Sequence, residues 1–161
     1  MLVEMTIKGL LVDPVTNMPI VVLRDKDDQR VLPIWVGIFE ANAIALQIEN
    51  ISTPRPMTHD LLTNVISGLE GGIQKVVVSD LKGSTFYSLI YMSIKEQIVV
   101  IDARPSDSIA LALRAHAPIF VEETVIENAK TLEITADKTQ EERLRKWLEG
   151  LEIQDLGKYK M

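Results

Sequence analysis

The hydrophobic period of this chain switches from two to helical spacing twice, once in each half, and that double switch narrows the fold further than any single motif does. Residues 2–8 alternate, with Val3, Met5 and Ile7 on one face and Glu4, Thr6 and Lys8 on the other. That is the pattern of a half-buried strand in an antiparallel sheet. Asp13-Pro14-Val15-Thr16-Asn17 is turn chemistry, Met18 to Leu23 reads as a second strand, and Asp25-Lys26-Asp27-Asp28 is a solvated turn. A third strand follows over Val31 to Val36, where Pro33 cannot donate to a ladder and so points to a sheet edge. From Ile38 the spacing is helical, with Phe39, Ala43, Leu46 and Asn50 in an Ala-rich stretch expected to form a buried helix.

After Pro54-Arg55-Pro56, Thr58 can cap a helix whose Leu61, Leu62, Val65, Ile66 and Leu69 make one apolar stripe, ended by Gly71-Gly72. The opening pattern then returns. Strands are expected at Ile73–Leu81, Thr85–Ser93 and Gln97–Ile101, with Lys82-Gly83-Ser84 as a hairpin turn and a helix over Pro105–Ala115. A shift of 65 residues lays Glu40-Ala41-Asn42-Ala43-Ile44-Ala45-Leu46 on Pro105-Ser106-Asp107-Ser108-Ile109-Ala110-Leu111. The fold class is therefore α+β: a duplicated unit of antiparallel strands followed by a helix, with a C-terminal amphipathic helix. That last helix is marked by Thr139 with Glu142 as a capping box and by Leu144, Trp147, Leu148 and Leu151 at helical spacing, with Gly150 near its end. The expected organisation is one domain over residues 1–125 and a helical extension over residues 126–161 that packs on the body or on a partner subunit.

Composition sets the class. Among the 161 residues, 47% are hydrophobic and 25% charged, enough to bury a core. With 17 basic against 23 acidic side chains the net charge is −6, so no global basic field draws the protein to nucleic acid and any phosphate binding must be local. Cysteine is absent, which excludes disulfides, thiol catalysis and zinc–thiolate sites and fits a cytoplasmic protein. The N-terminus lacks a signal-peptide pattern. The longest uncharged stretch, Gly83 to Ile94, is 12 residues, well short of the roughly 20 that span a bilayer.

There is no GxGxxG, P-loop, GxSxG, HExxH or EF-hand pattern. Two similar junctions stand out instead: Arg55-Pro56-Met57-Thr58-His59-Asp60 and Asp102-Ala103-Arg104-Pro105-Ser106-Asp107, each just before an apolar helix. On one reading, helix-start amides and an adjacent guanidinium make an anion site, with Thr58 and Ser106 contributing to it and nearby carboxylates able to hold a divalent cation. On the other, these are ordinary caps with acids in the first turn and arginines paired to them, tying the two repeats together. His59 can serve as a general base, a metal ligand or a surface cap residue. His116, at the end of its helix, reads as structural. Glu40 is the only charge between Val31 and Ile48, and it calls for a metal or for pairing with Arg55 or Arg104 unless it simply faces water. With aromatics at 5%, Trp35 and Phe39 are expected in the core rather than as base-stacking platforms.

Three separated strings carry a resemblance: Leu32-Pro33-Ile34-Trp35-Val36-Gly37 with Glu40-Ala41, then Arg55 to Leu62, then Ile101 to Ala112. In that order they resemble the bifunctional nuclease domain family over roughly residues 2–125. The resemblance implies an α+β domain of bacteria and plants to which DNase and RNase activity is attributed, acting on nucleic acid. The mechanism it suggests is phosphodiester hydrolysis with Asp102, Asp107, Asp60 and Glu40 around Mg²⁺ or Mn²⁺. His59 or a metal-bound water would be activated, while Arg55 and Arg104 neutralise the phosphate. A homo-oligomer, most simply a dimer, could assemble the basic surface that one chain lacks. The alternative function is a non-catalytic module that binds a small anionic ligand or serves as an oligomeric interaction platform.

Overall fold

The computed structural model describes residues 1–135, with side chains to Ala129. The helix expected from Thr139 lies outside the described residues. Strands β1 (Leu2–Val12), β2 (Pro19–Asp25) and β3 (Val31–Trp35) form an antiparallel meander that leads into α1 (Ile38–Ile48) and α2 (Thr58–Gly68). A second meander, β4 (Gly71–Lys82), β5 (Thr85–Ile94) and β6 (Gln97–Ala103), leads into α3 (Pro105–Ala115). The chain continues through β7 (Ile119–Glu122) and α4 (Glu123–Thr135). The seven strands make one sheet of order β3-β2-β1-β7-β4-β5-β6. β7 joins the two meanders, antiparallel to β1 and parallel to β4.

The doubled plan has a physical signature in its one identical triplet. Ile44, Ala45 and Leu46 in α1 and Ile109, Ala110 and Leu111 in α3 are all buried. Equivalent helices that pack side by side on one sheet demand the same small-and-branched surface, and α1 does pack against α3. The turns are also as the sequence implies: Gly83, with φ +63°, supplies the left-handed position of the β4–β5 hairpin. Pro33 lies on edge strand β3. In β1 the period-2 pattern breaks at a bulge between Ile7 and Gly9, after which Leu10 and Leu11 are both buried, in different clusters.

Four expectations are corrected. Phe39 is 89% exposed and Trp35 45% exposed, so neither is a core aromatic. The buried face of α1 is set by Ala41, Ile44 and Ala45, and Phe39 projects from the opposite side in the first turn. Trp35 alternates outward after buried Ile34, and its Nε1–H donates to Asp13 Oδ2 at 3.1 Å. The stripe of α2 exists but is largely uncovered: Leu61, Leu62, Val65 and Leu69 are exposed and only Ile66 packs on the core. Thr58 is the first helical residue rather than the cap, which is Met57. Gly71-Gly72 does not end α2 but begins β4; the reversal falls on Glu70, at φ +61°. Gly71 is needed where a Cβ would press on the Ile66 carbonyl and the Ile94 side chain, at 3.2 and 3.0 Å.

α4 places Val125, Ile126 and Ala129 in the same core cluster as the two meanders, and no helix among the described residues is long and apolar enough to cross a membrane. Because Ile109 is fully buried, Ile109→Ala should lower unfolding free energy by about 3 kcal/mol. Phe39→Ala, at an exposed site, should change it by less than about 0.5 kcal/mol, both read by chemical denaturation.

Candidate active site at the helix starts

The two junctions converge, though not as two copies of one motif. Pro105 in the first turn of α3 fixes the backbone for helix entry, with Arg104 as the N-cap, so the Arg104 and Asp107 side chains lie one turn apart. Arg104 Nε donates to Asp107 Oδ2 at 3.0 Å and its Nη1 donates to Glu40 Oε1 of α1 at 3.0 Å. The other Asp107 oxygen, Oδ1, accepts from His59 Nε2 of α2 at 2.8 Å. A single chain of polar contacts, His59–Asp107–Arg104–Glu40, thus crosses three helices. Arg104 is its exposed member at 65%, while His59 is 13% exposed. Gly37 leaves space for this: a Cβ there would collide with Glu40 Oε2, so the carboxylate would have to shift.

Beside this chain lies a buried clamp that the residue pattern did not announce. Arg114, in the last turn of α3, is 4% exposed and donates from Nε to Asp60 Oδ1 at 2.6 Å. Its Nη1 and Nη2 donate to the Ala110 and Ala43 carbonyls at 2.9 and 3.0 Å, so one guanidinium ties α3 to α1 and α2. Asp60 Oδ2 also accepts the Met57 N–H at 2.9 Å and so caps its own helix. The signal in the sequence was only a basic residue near a helix end, which the dipole alone explains.

Electrostatics follow from these bonds. Partial burial pushes the Asp107 carboxyl up, but the His59 bond and the Arg104 pair outweigh it and hold it below the usual carboxylate range. The same balance, set by the Met57 N–H and Arg114 against burial, lowers Asp60. Hydrogen bonds from Arg104 to Asp107 and Glu40 raise the arginine further.

Of the other expected residues, Thr58 and Arg55 are exposed, and Arg55 makes no ion pair among the described residues; its carbonyl accepts from Thr53 Oγ1 at 2.7 Å. Ser106 is buried in the first turn of α3. Asp102 stands opposite Leu89 in the sheet, pointing to the face away from Ile101 and Ala103, and has no bonded partner among the described residues. The carboxylates expected to hold Mg²⁺ or Mn²⁺ do not fit a resident cation as they stand. Both oxygens of Asp60 and of Asp107 already accept from cationic or N–H donors. Among the described residues no three His, Asp or Glu side chains converge on one point.

The bifunctional nuclease domain model matches residues 21–133, spanning both junctions and every residue of the polar chain. The chain belongs to the bifunctional nuclease domain family. It is 41% identical over 140 residues to an uncharacterized protein of Mycobacterium tuberculosis, covering 86% of this chain and 82% of that one. It is 24% identical over 119 residues to bifunctional nuclease 1 of Oryza sativa subsp. indica and to a bifunctional nuclease of Oryza minuta. That alignment takes in 72% of this chain but only 36% of either plant protein.

Two outcomes separate the arginines. Arg114→Ala should cost about 3 kcal/mol in unfolding free energy, because it removes the enclosed cation that pairs with the partly buried Asp60 and ties two helix carbonyls together. Arg104→Ala, at an exposed pair, should cost less than about 1 kcal/mol. Since Asp60 and Asp107 are lowered in the folded state, their contribution is fully present above the unfolded carboxylate value of about 3.9 and is lost as pH falls through the lower folded values. Acid titration of unfolding should show a steeper loss of stability below about pH 4 for the wild type than for Asp107→Asn.

Proposed function

We propose that this domain hydrolyses phosphodiester bonds in DNA and RNA at the surface formed by the starts of α2 and α3. The observation that carries the reading is the His59–Asp107–Arg104–Glu40 chain: an oriented histidine and an exposed, doubly anchored arginine placed together within a bifunctional nuclease domain.

Each residue has a role that its contacts permit. The ionised Asp107 accepts from His59 Nε2, which orients the ring and leaves Nδ1 as the nitrogen to take a proton from water. The water oxygen bonds to phosphorus, the P–O bond to the leaving sugar oxygen breaks, and that oxygen takes up a proton from solvent. Arg104 keeps Nη2 clear of the Asp107 and Glu40 contacts, and that face can meet the phosphate oxygens as charge builds on them. Glu40 holds the guanidinium at a fixed angle. Arg55, exposed near the start of α2, adds a second positive charge for a neighbouring phosphate. Phe39, one residue before Glu40 and open to solvent, presents a ring on which a base can stack.

A second reading has one observation in its favour. A net charge of −6 weakens any polymer interaction, which suits a non-catalytic module that binds a small anion at Arg104 and Arg55. The deciding experiment measures cleavage of single-stranded DNA, duplex DNA and RNA by extensively purified protein, with Mg²⁺, with Mn²⁺ and with chelator. His59→Ala and Asp107→Asn variants are purified in the same way. Hydrolysis should fall about 10²-fold or more in His59→Ala while the variant stays folded. Equal rates in wild type and variants would place the activity elsewhere. Absence of cleavage throughout, together with stabilisation by inorganic phosphate, would establish the anion-binding module.

A further inference from the structure

We propose that the nucleic acid taken by this domain is single-stranded, with an unpaired base stacked on Phe39 and the neighbouring phosphate against Arg104, a form of substrate that rests on reading the helix starts as a site for phosphodiesters.

Phe39 is 89% exposed, so its ring adds nothing to the core and both of its faces are open to a ligand. The other aromatic rings among the described residues are engaged. Lys75 Nζ lies over Tyr91 and Phe120, 4.7 and 5.7 Å from the ring centroids, and Lys82 Nζ lies 5.2 Å from that of Tyr87. Phe86 packs against the core, and Trp35 is bonded through Nε1 to Asp13. A single apolar side chain in water needs no ligand to explain it. Phe39 differs from such a residue in where it stands.

Its neighbour in α1, Glu40, accepts from Arg104 Nη1 at 3.0 Å, so the ring sits on the same helix turn that fixes the guanidinium. Phe39 also lies one turn before Ala43, whose carbonyl accepts from Arg114 Nη2 at 3.0 Å. That flank of α1 therefore faces the junction of α2 and α3, where His59 meets Asp107. An open ring beside an open guanidinium suits a nucleotide, because its base is a flat apolar plate and its phosphate is an anion one sugar away.

Charge decides between one strand and two. A duplex stacks its bases on one another and offers a protein mainly phosphates, so it is held by many basic side chains. The helix starts carry two open arginines, Arg104 and Arg55, with the Glu40, Asp60 and Asp107 carboxylates close by in a chain of net charge −6. Two phosphate contacts contribute little next to the roughly six to ten that ordinarily hold a duplex. A base on Phe39 supplies the missing affinity, and only an unpaired base reaches the ring without first being pulled out of a paired stack. The ring and the guanidinium meet a base face and a phosphate, which DNA and RNA share, so both polymers fit and base identity goes unread.

The test is binding of fluorescently labelled oligothymidylate, oligouridylate and a DNA duplex, each about twelve nucleotides long, to the full chain in chelator, with the strands checked intact afterwards by electrophoresis. The two single strands should bind within about threefold of each other and about tenfold or more tighter than the duplex. Log affinity should fall with log salt at a slope near ~−1.4, from about −0.7 for each of two phosphates. Phe39→Ala should weaken single-strand binding about tenfold with the slope unchanged, and Phe39→Trp should restore it. A strand with abasic sites in place of its bases should bind wild type and Phe39→Ala alike, which a merely structural role for the ring would not produce. Three results overturn the proposal: a duplex bound as tightly as single strands, full affinity in Phe39→Ala, or a change of solution mass in Phe39→Ala, which would assign the ring to a contact between copies. Single strands bound through Phe39 yet left uncleaved would sink the hydrolytic reading alone. Cleavage indifferent to Phe39 would sink the stacking proposal alone, and absence of binding to any strand would sink both.

Discussion

The arrangement of the helices depends on one buried guanidinium. Arg114 is almost wholly enclosed, yet all three of its nitrogens find acceptors: the Asp60 carboxylate, the Ala110 carbonyl one turn back and the Ala43 carbonyl of α1. A buried charge is tolerated only when it is paired and hydrogen-bonded on every side, and the planar fork of arginine suits three acceptors that come from three helices. With that condition met, α2 is held to α3 by polar contacts rather than by its apolar stripe. This explains how a helix with no fully buried residue keeps its place in the layer.

The fixed angle of α2 has a second effect, because it delivers His59 to Asp107. From there polarity grades outward along the chain of contacts, from His59 through Asp107 to Arg104, whose side chain is mostly in solvent. The two arginines are thereby divided by burial. The enclosed one commits its donors to the fold, and the open one keeps Nη2 clear of its Asp107 and Glu40 contacts. Glu40, which a partner had to balance, is balanced by Arg104, and Gly37, just past the end of β3, leaves its carboxylate room to turn back.

Apolar surface was the least legible property of the sequence. Phe39 was expected in the core but is exposed, as are most of the α2 stripe and the run Ile98 to Ile101. Periodicity reports which residues share a face, not whether anything covers that face. α2 lies at the end of its layer and β6 at the end of its sheet, so each has a neighbour on one side only. The left-handed Glu70 was equally hidden, since two glycines just after it carried the expected stop signal without supplying the turn.

By itself the sequence determined the two strand meanders with their helices, the hairpin at Gly83, the edge at Pro33 and the two junctions where polar residues gather before a helix, but not α4. These follow from local periodicity, turn residues and helix-start chemistry, which act over a few residues. Only the tertiary structure decided that β7 would join the meanders, that Asp107 would meet a histidine 48 residues away, that Arg114 would clamp three helices and that Asp102 would point to the other face of the sheet. Those outcomes depend on which elements lie side by side, and contacts between residues distant in the chain are settled by the packing of whole faces rather than by any short string of residues.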